Sequence, residues 1–330
     1  MSVKATKPRQ SKIGKASEPD LTCRIRDLVF KNPVTVASGT FGTKDEFSDC
    51  VNYEDLGAVI TKTITVKPRR GNPMPRICET PSGMLNAIGL QNKGLEDFLE
   101  NKIPFFARIK TPLIVNIAGE AEEDFRTLTR ALDKHRGVVR ALEINLSCPN
   151  VEAGGVSFMR KREKIEQVIK TVRGETGLPI LAKLSPELGD VIEIAGLVLK
   201  CGADGLSLIN TLKGLSVNIR TRQPRLANIT GGLSGPAIRP VALRYLYEVR
   251  KYYQVPVIAS GGILTVEDAL EFLITGAELI ALGTANFVNP GATIELLNGL
   301  CVYMKQNGIR SLSEIRGSLQ IPTRESCGHS

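Results

Sequence analysis

Residues 141–150 read ALEINLSCPN: a short apolar, strand-like run that passes straight into Asn145, Ser147, Cys148, Pro149 and Asn150. A turn accounts for the proline and one asparagine. It does not account for amides, a hydroxyl and a thiol gathered at the end of one strand. The same pattern, an apolar run with a polar end, recurs along the chain and decides the fold class.

Reading for short β-branched and apolar runs gives VTVAS (34–38), AVITKT (58–63), LIVNIA (113–118), ALEINLS (141–147), PILAKLS (179–185), GLSLIN (205–210), PVIASG (256–261) and LIALGT (279–284). Between most of them lie stretches with a 3.6-residue apolar period, such as EEDFRTLTRALDKH and TVEDALEFLITG. Eight strand–helix units predict an α/β fold, a (β/α)8 TIM barrel of parallel strands. The near-continuous apolar strands agree, because barrel strands are covered on both faces. LTCRIRDLVFKN, ahead of the first strand, reads as a short N-terminal hairpin that plugs the barrel bottom. Two connections, 64–94 and 211–235, are too long to be plain linkers. Both read as hairpins, the first turning at Pro81-Ser82-Gly83, and both leave from the C-terminal rim, where they would cover a site. The domain reading is a disordered basic tail at 1–20, a barrel at 21–312 and a C-terminal extension at 313–330.

Composition narrows the chemistry. The apolar fraction of 42% and charged fraction of 23% over 330 residues are globular values. No apolar run reaches the roughly eighteen residues needed to span a bilayer. The first twenty residues are basic without an apolar core, which does not suit a secretory signal. The net charge of +9 comes without an aromatic-rich basic stripe or a recognition-helix motif, so scattered surface charge is favoured over nucleic-acid binding. Seven dispersed cysteines with no C-x-x-C pair argue against metal ligation and suit reduced thiols in a cytoplasmic protein. With only His135 and His329 available, a histidine-based triad or metal site is improbable. Proton chemistry here falls to Cys, Lys or a carboxylate.

In a barrel the strand ends meet on one face. Here they deliver Ser38, Lys62, Asn116, Asn145, Lys183, Asn210, Gly261-Gly262 and Gly283-Thr284. The glycine-containing SGGI and LGTANF segments each precede a helical stretch, which suits a phosphate held by backbone N–H groups and a helix N-terminus. A phosphate at strands seven and eight, with Lys and Asn across the other strand ends, fits a large flat cofactor with a phosphate tail, FMN. Lys183 would face the pyrimidine edge of its ring, and Asn116 and Asn145 would bond that edge or the substrate.

SGTFG, NAIGLQN, EINLSCPN, AKLSP, LINTLKG, ANITGGLSGPAIRPVAL, ASGGI and LGTANF occur in that order. Together they resemble class 1 dihydroorotate dehydrogenase over roughly residues 21–312, and TRQPRLANITGGLSGPAIRP resembles the NAD-linked class 1B catalytic subunit more than the fumarate-using class 1A. The resemblance implies oxidation of dihydroorotate to orotate in pyrimidine biosynthesis, with Cys148 as the base that removes a proton from ring carbon five. It implies substrate contacts from Lys62, Asn86, Asn145, Asn150, Asn210 and Thr211, with backbone groups of Ala87, Ile88, Gly89 and Leu90. One FMN per chain would touch Ser38, Lys62, Thr63, Asn116, Asn145, Lys183, Ile209, Gly235, Gly261, Gly262, Gly283 and Thr284. It further implies a homodimer of this chain joined to electron-transfer subunits carrying FAD and an iron–sulfur cluster, a heterotetramer. This chain has no cluster motif and no dinucleotide fingerprint, in keeping with that division.

The sequence departs from the family pattern at VSFMRKREK after the SCPN motif, at Glu187 and at Lys93, none of which is the expected base or flavin lysine. Alternatives are a fumarate-dependent class 1A-like enzyme, a flavin-dependent pyrimidine reductase, a non-catalytic phosphate-binding barrel and a nucleic-acid-binding protein.

Overall fold

The structure, a computed structural model, describes residues 18–42, 46–146 and 162–321. A hairpin of β1 (Cys23–Ile25) and β2 (Leu28–Phe30) leads into β3 (Val34–Val36) and β4 (Val59–Ile60). An excursion follows with β5 (Ile77–Thr80) and β6 (Gly83–Asn86). The chain returns for β7 (Leu113–Ile117), β8 (Val139–Asn145), β9 (Ile180–Leu184) and β10 (Gly205–Leu208). A second excursion carries β11 (Leu212–Leu215), β12 (Val217–Asn218), β13 (Gln223–Pro224) and β14 (Thr230–Ser234), and β15 (Val257–Ala259) and β16 (Leu279–Leu282) complete the set.

Eight of these strands form one parallel sheet in the order β3-β16-β15-β10-β9-β8-β7-β4, the sequential winding of a (β/α)8 barrel. All eight coincide with the runs expected from the sequence. The seam between β3 and β4 has no strand ladder. Gly57 N–H donates to Val34 O at 2.8 Å, and the Thr35 hydroxyl donates to Ala58 O at 2.8 Å. The close approach at this seam requires glycine: a Cβ on Gly57 would lie 2.0 Å from Asn32 O. The strand expected over 58–63 is much shorter than its apolar pattern. The Asn116 N–H bonds the Thr61 hydroxyl at 3.1 Å instead of a backbone carbonyl, so the chain leaves the ladder before Lys62.

Around the barrel run α3 (Glu122–Asp133), α4 (Arg162–Glu175), α5 (Val191–Lys200), α6 (Arg239–Tyr252), α7 (Val266–Thr275) and α9 (Ala292–Gln306), with short α1 (Gly94–Asp97), α2 (Ile103–Phe106) and α8 (Ala285–Val288). Their inward stripes follow helical spacing: α3 buries Phe125, Leu128, Thr129 and Leu132, and α4 buries Ile165, Val168, Ile169 and Val172.

The β1–β2 hairpin lies across the N-terminal ends of the strands. Its Arg24 N–H reaches Glu278 Oε1 at 2.8 Å and its Arg26 reaches Gly177 O at 3.3 Å, each contact lying just ahead of a barrel strand. Cys23, Ile25 and Phe30 on its inner face are buried in the main core. This is the expected bottom plug.

At the opposite rim the two excursions are not separate hairpins. They join in one antiparallel sheet, β11-β14-β6-β5. Gly232 pairs with Asn86, and Ser234 with Met84. Where the first turn meets the base of the second excursion, glycine faces glycine. A Cβ on Gly83 would lie 2.0 Å from Ser234 O, and one on Gly235 would lie 2.6 Å from Gly83 Cα. Leu85, Ala87 and Leu226 form a second small core beneath this sheet.

Candidate active site

Successive residues on a barrel strand alternate between the helix layer and the barrel interior. On β8 this alternation puts Glu143 and Asn145 on the same side, and both are buried. Glu143 is 1% exposed and gathers donors from three other strands. Asn116 Nδ2 on β7 donates to its Oε1, and the Ser207 hydroxyl on β10 donates to its Oε2 at 2.5 Å. Lys183 Nζ on β9 lies 3.5 Å from Oε1. The same ammonium donates to Ser38 Oγ, just beyond β3, at 3.1 Å. Such a pair is expensive to bury, and the additional hydrogen bonds are what make it tolerable.

One atom of this cluster is left over. With Asn116 Nδ2 committed to the carboxylate, its Oδ1 is buried and has no hydrogen-bond partner among the described residues. An orphaned buried acceptor costs about 1–3 kcal/mol and calls for a donor from beyond the described residues.

Above this layer, Asn145 pairs in register with Lys183, and Asn210 Nδ2 approaches Asn145 Oδ1 at 3.5 Å. Asn210 Oδ1 accepts the N–H of Thr211 at 2.9 Å. Thr211 and Asn86 meet at Gly232. Asn86 Nδ2 donates to Gly232 O at 3.2 Å, and a Cβ on Gly232 would collide with the Thr211 hydroxyl at 2.0 Å. The loop sheet therefore brings Asn86 of the first excursion against Asn210 and Thr211 beyond the sixth strand. Ile209 is buried, and a cis peptide bond joins it to Leu208.

The Ala87–Leu90 backbone is tied to Asn72: Asn72 Nδ2 donates to Ala87 O at 2.9 Å, and Asn72 N–H donates to Ile88 O at 3.1 Å. Leu90 holds a left-handed φ of 55°, a conformation uncommon outside glycine. Thr63 is buried beside Lys62. Burial and the Arg76 guanidinium push the half-buried Lys62 ammonium below its ordinary range, against an opposing pull from Glu46.

The glycine segments also converge. Gly262, at φ 76°, comes so near Gly235 that a Cβ on it would sit 2.8 Å from Gly235 O. Gly261 is equally tight, 2.6 Å from Ala242 Cβ by the same construction, and Gly283 lies against Ala37. The Thr284 hydroxyl donates to Ser234 Oγ at 2.8 Å, linking the eighth strand end to the loop sheet. The two helix N-termini beside these segments differ: α8, which begins within LGTANF, has no side-chain cap. The first turn of α7 is occupied by its own Thr265–Asp268 capping box, and Asp268 is also paired with Arg239. A phosphate here would rest on the glycine backbone and hydroxyls.

Cys148 and Asn150 lie outside the described residues. Every other expected site residue sits at the C-terminal rim or just inside it. Glu143 and Ser207 were not among the expected residues. The available signal was a lone acid in the otherwise apolar strand ALEIN, matched by a lone hydroxyl in GLSL.

A sequence profile of the family described as dihydroorotate dehydrogenase matches residues 20–304. The chain belongs to the dihydroorotate dehydrogenase family. It is 48% identical over 302 residues to the protein named dihydroorotate dehydrogenase B (NAD(+)), catalytic subunit, of Desulforamulus reducens, covering 92% of this chain and 99% of the relative. The proteins of the same name from Geotalea uraniireducens and Pelobacter propionicus are 47% and 48% identical, each over 92% of this chain and 99% of the relative. The family profile begins at Asp20 and ends before Ser311, its partner in a β-bridge that ties the two ends of the described barrel together.

Proposed function

We propose that the chain is the catalytic subunit of an NAD-linked dihydroorotate dehydrogenase, oxidising dihydroorotate to orotate for pyrimidine biosynthesis with FMN. The relatives at 47–48% identity carry that name over nearly their full length. The observation that carries the cofactor reading is Asn116 Oδ1, without a partner among the described residues, beside the buried Lys183–Glu143 pair and on the same rim as the closely packed glycine backbone of Gly235, Gly261, Gly262 and Gly283. These residues fit FMN, whose flat ring offers N–H and carbonyl groups and whose tail is a phosphate. When bound, FMN supplies the hydride acceptor.

The chain's own residues have the remaining tasks. Lys183 holds positive charge next to the ring-binding layer, anchored by Ser38 and Glu143. Lys62 compensates the substrate carboxylate, and the amides of Asn86, Asn145 and Asn210, with Thr211, match the donors and acceptors of the dihydropyrimidine ring. Cys148, beyond β8 and outside the described residues, takes the proton from ring carbon five, and Asn150 shares the substrate. The loop sheet, which carries Asn86 against Thr211, would shield the bound substrate from water.

Electrons then leave to NAD through a partner subunit carrying FAD and an iron–sulfur cluster. Exposed Met74, Ile77, Leu215, Val217, Ile219 and Ile229 on the two excursions suit self-association of two such chains. Among the described residues no helix is long and apolar enough to cross a membrane; the proposed site of action is the cytoplasm.

The test is anaerobic addition of dihydroorotate to the purified protein, followed in the visible spectrum. Wild type bleaches its flavin, and Cys148→Ala bleaches it at least a hundredfold more slowly. A colourless protein that binds no FMN would sink the proposal, and equal bleaching rates would remove Cys148 as the base. Brisk turnover of the isolated chain with fumarate would overturn the NAD-linked assignment.

A further inference from the structure

We propose that Glu143 is the positioning residue of the flavin layer: its carboxylate selects the orientation of the Asn116 amide and holds the Lys183 ammonium in place. The inference rests on the flavin reading above and concerns a residue with no contact role in it.

Three observations carry it. First, Glu143 is buried to 1% exposure at a point where four strands supply side chains to one carboxylate, counting its own. Second, a carboxylate accepts and cannot donate, so Asn116 can only present Nδ2 to it. The other end of the amide, Oδ1, is thereby left as an acceptor, and it is buried with no partner among the described residues. Third, Lys183 is tethered by Glu143 on one side and Ser38 on the other, which fixes its ammonium at the end of β9. The layer consequently presents a fixed acceptor beside a fixed cation. That pattern selects a ligand edge with an N–H next to an electron-rich carbonyl or ring nitrogen, and rejects one with acceptors alone.

The carboxylate also balances charge. While it is ionised, the pair contributes no net charge beneath the ligand. Glu143→Gln keeps the shape and removes that balance, leaving Lys183 uncompensated and Asn116 free to turn over.

The experiment uses wild type, Glu143→Gln, Lys183→Met and the double variant, reading FMN dissociation from the apoprotein and the midpoint potential of the bound flavin. Glu143→Gln is expected to weaken FMN at least tenfold. It is also expected to move the two-electron equilibrium at least tenfold toward the reduced form, a rise of about 30 mV. Lys183→Met alone, which strands the carboxylate beneath the ligand, should lower the potential, and adding Glu143→Gln should bring it back up. A purely structural role would lower thermal stability without moving the potential. An unchanged or more negative potential in Glu143→Gln, or a double variant whose potential is no higher than that of Lys183→Met, overturns the inference. If Glu143→Gln does not fold, Ser207→Ala loosens Oε2 without stranding a charge. A smaller shift of the same sign supports the inference, and none overturns it. Wild type that binds no FMN would instead refute the flavin reading itself.

Discussion

Removing Lys183 alone should cost the ligand-free protein more than removing Lys183 and Glu143 together. Lys183→Met replaces an ammonium that is 7% exposed and leaves a carboxylate that is 1% exposed without its cation. At 3.5 Å and an effective dielectric of about 20, the lost attraction is about 5 kcal/mol. The Asn116 and Ser207 hydrogen bonds remain and offset part of it, so the expected loss of unfolding free energy is about 3–4 kcal/mol. In the double variant Lys183→Met/Glu143→Gln no charge is stranded. The introduced glutamine amide can still accept from Asn116 or Ser207, and the loss should shrink to about 1–2 kcal/mol. Urea unfolding of the four apoproteins, followed by far-ultraviolet circular dichroism, measures all corners of this cycle. If Lys183→Met costs under about 1 kcal/mol, or if the double variant loses as much as both singles added, the pair is not coupled as its geometry indicates.

Lys62 should make orotate binding sensitive to alkaline pH. Its folded-state pKa lies below the ordinary lysine value, so binding weakens as pH rises through that lowered value, and Lys62→Met shows weak, flat binding. The unfolded chain holds this proton more tightly, so its contribution makes the apoprotein more stable as pH climbs between the two values. Arg76→Gln, which relieves the repulsion, should move the loss of orotate affinity to higher pH; an unmoved profile counts against the Arg76 effect. Gly262→Ala adds a Cβ 2.8 Å from Gly235 O at a φ of 76° and should weaken FMN at least tenfold while the barrel still folds. Unchanged affinity would mean that the phosphate rests elsewhere. Burial pushes the Cys23 thiol up to about 12, whereas Cys50 is exposed. Iodoacetamide at pH 8 should therefore modify Cys50 and spare Cys23 in peptide maps of the native protein.

The eight strands were legible because a barrel covers both faces of each strand, and runs such as LIVNI and ILAKL then need no polar alternation. Strand length was less legible. The run 58–63 looks like one strand, yet regular strand covers only Val59–Ile60: the Thr61 hydroxyl takes the Asn116 N–H, and backbone pairing resumes only at Ile64. The union of the two rim excursions was not readable at all. It depends on pairing Gly232 with Asn86, 146 residues apart in the chain, and on glycines at 83 and 235 meeting face to face. No local pattern encodes such a contact. Lys183, Asn116 and Asn145 were found because polar residues at strand ends stand out. Glu143 was passed over because it sits two residues earlier, inside the run that looked like core.

The stability of the barrel does not explain why that acid is there. Replacing a buried ion pair with well-packed apolar residues is often neutral or stabilising, and the surrounding strands already bury Leu142, Ile144, Leu181 and Leu208. A fold selected only for stability would carry a hydrophobic layer at Glu143, Lys183 and Ser207. The barrel instead contains a charge pair, two hydrogen bonds to the acid and an asparagine oxygen with no partner among the described residues. Each feature makes sense if a ligand completes the layer, because only then is the last acceptor satisfied and the cost of burying the charges offset. The same reasoning predicts that FMN raises the thermal midpoint of wild type far more than that of Lys183→Met/Glu143→Gln. The double variant buries no charged group whose cost the ligand could offset, and so has less to gain. Equal stabilisation of the two proteins by FMN would show that the buried pair and the ligand are energetically independent.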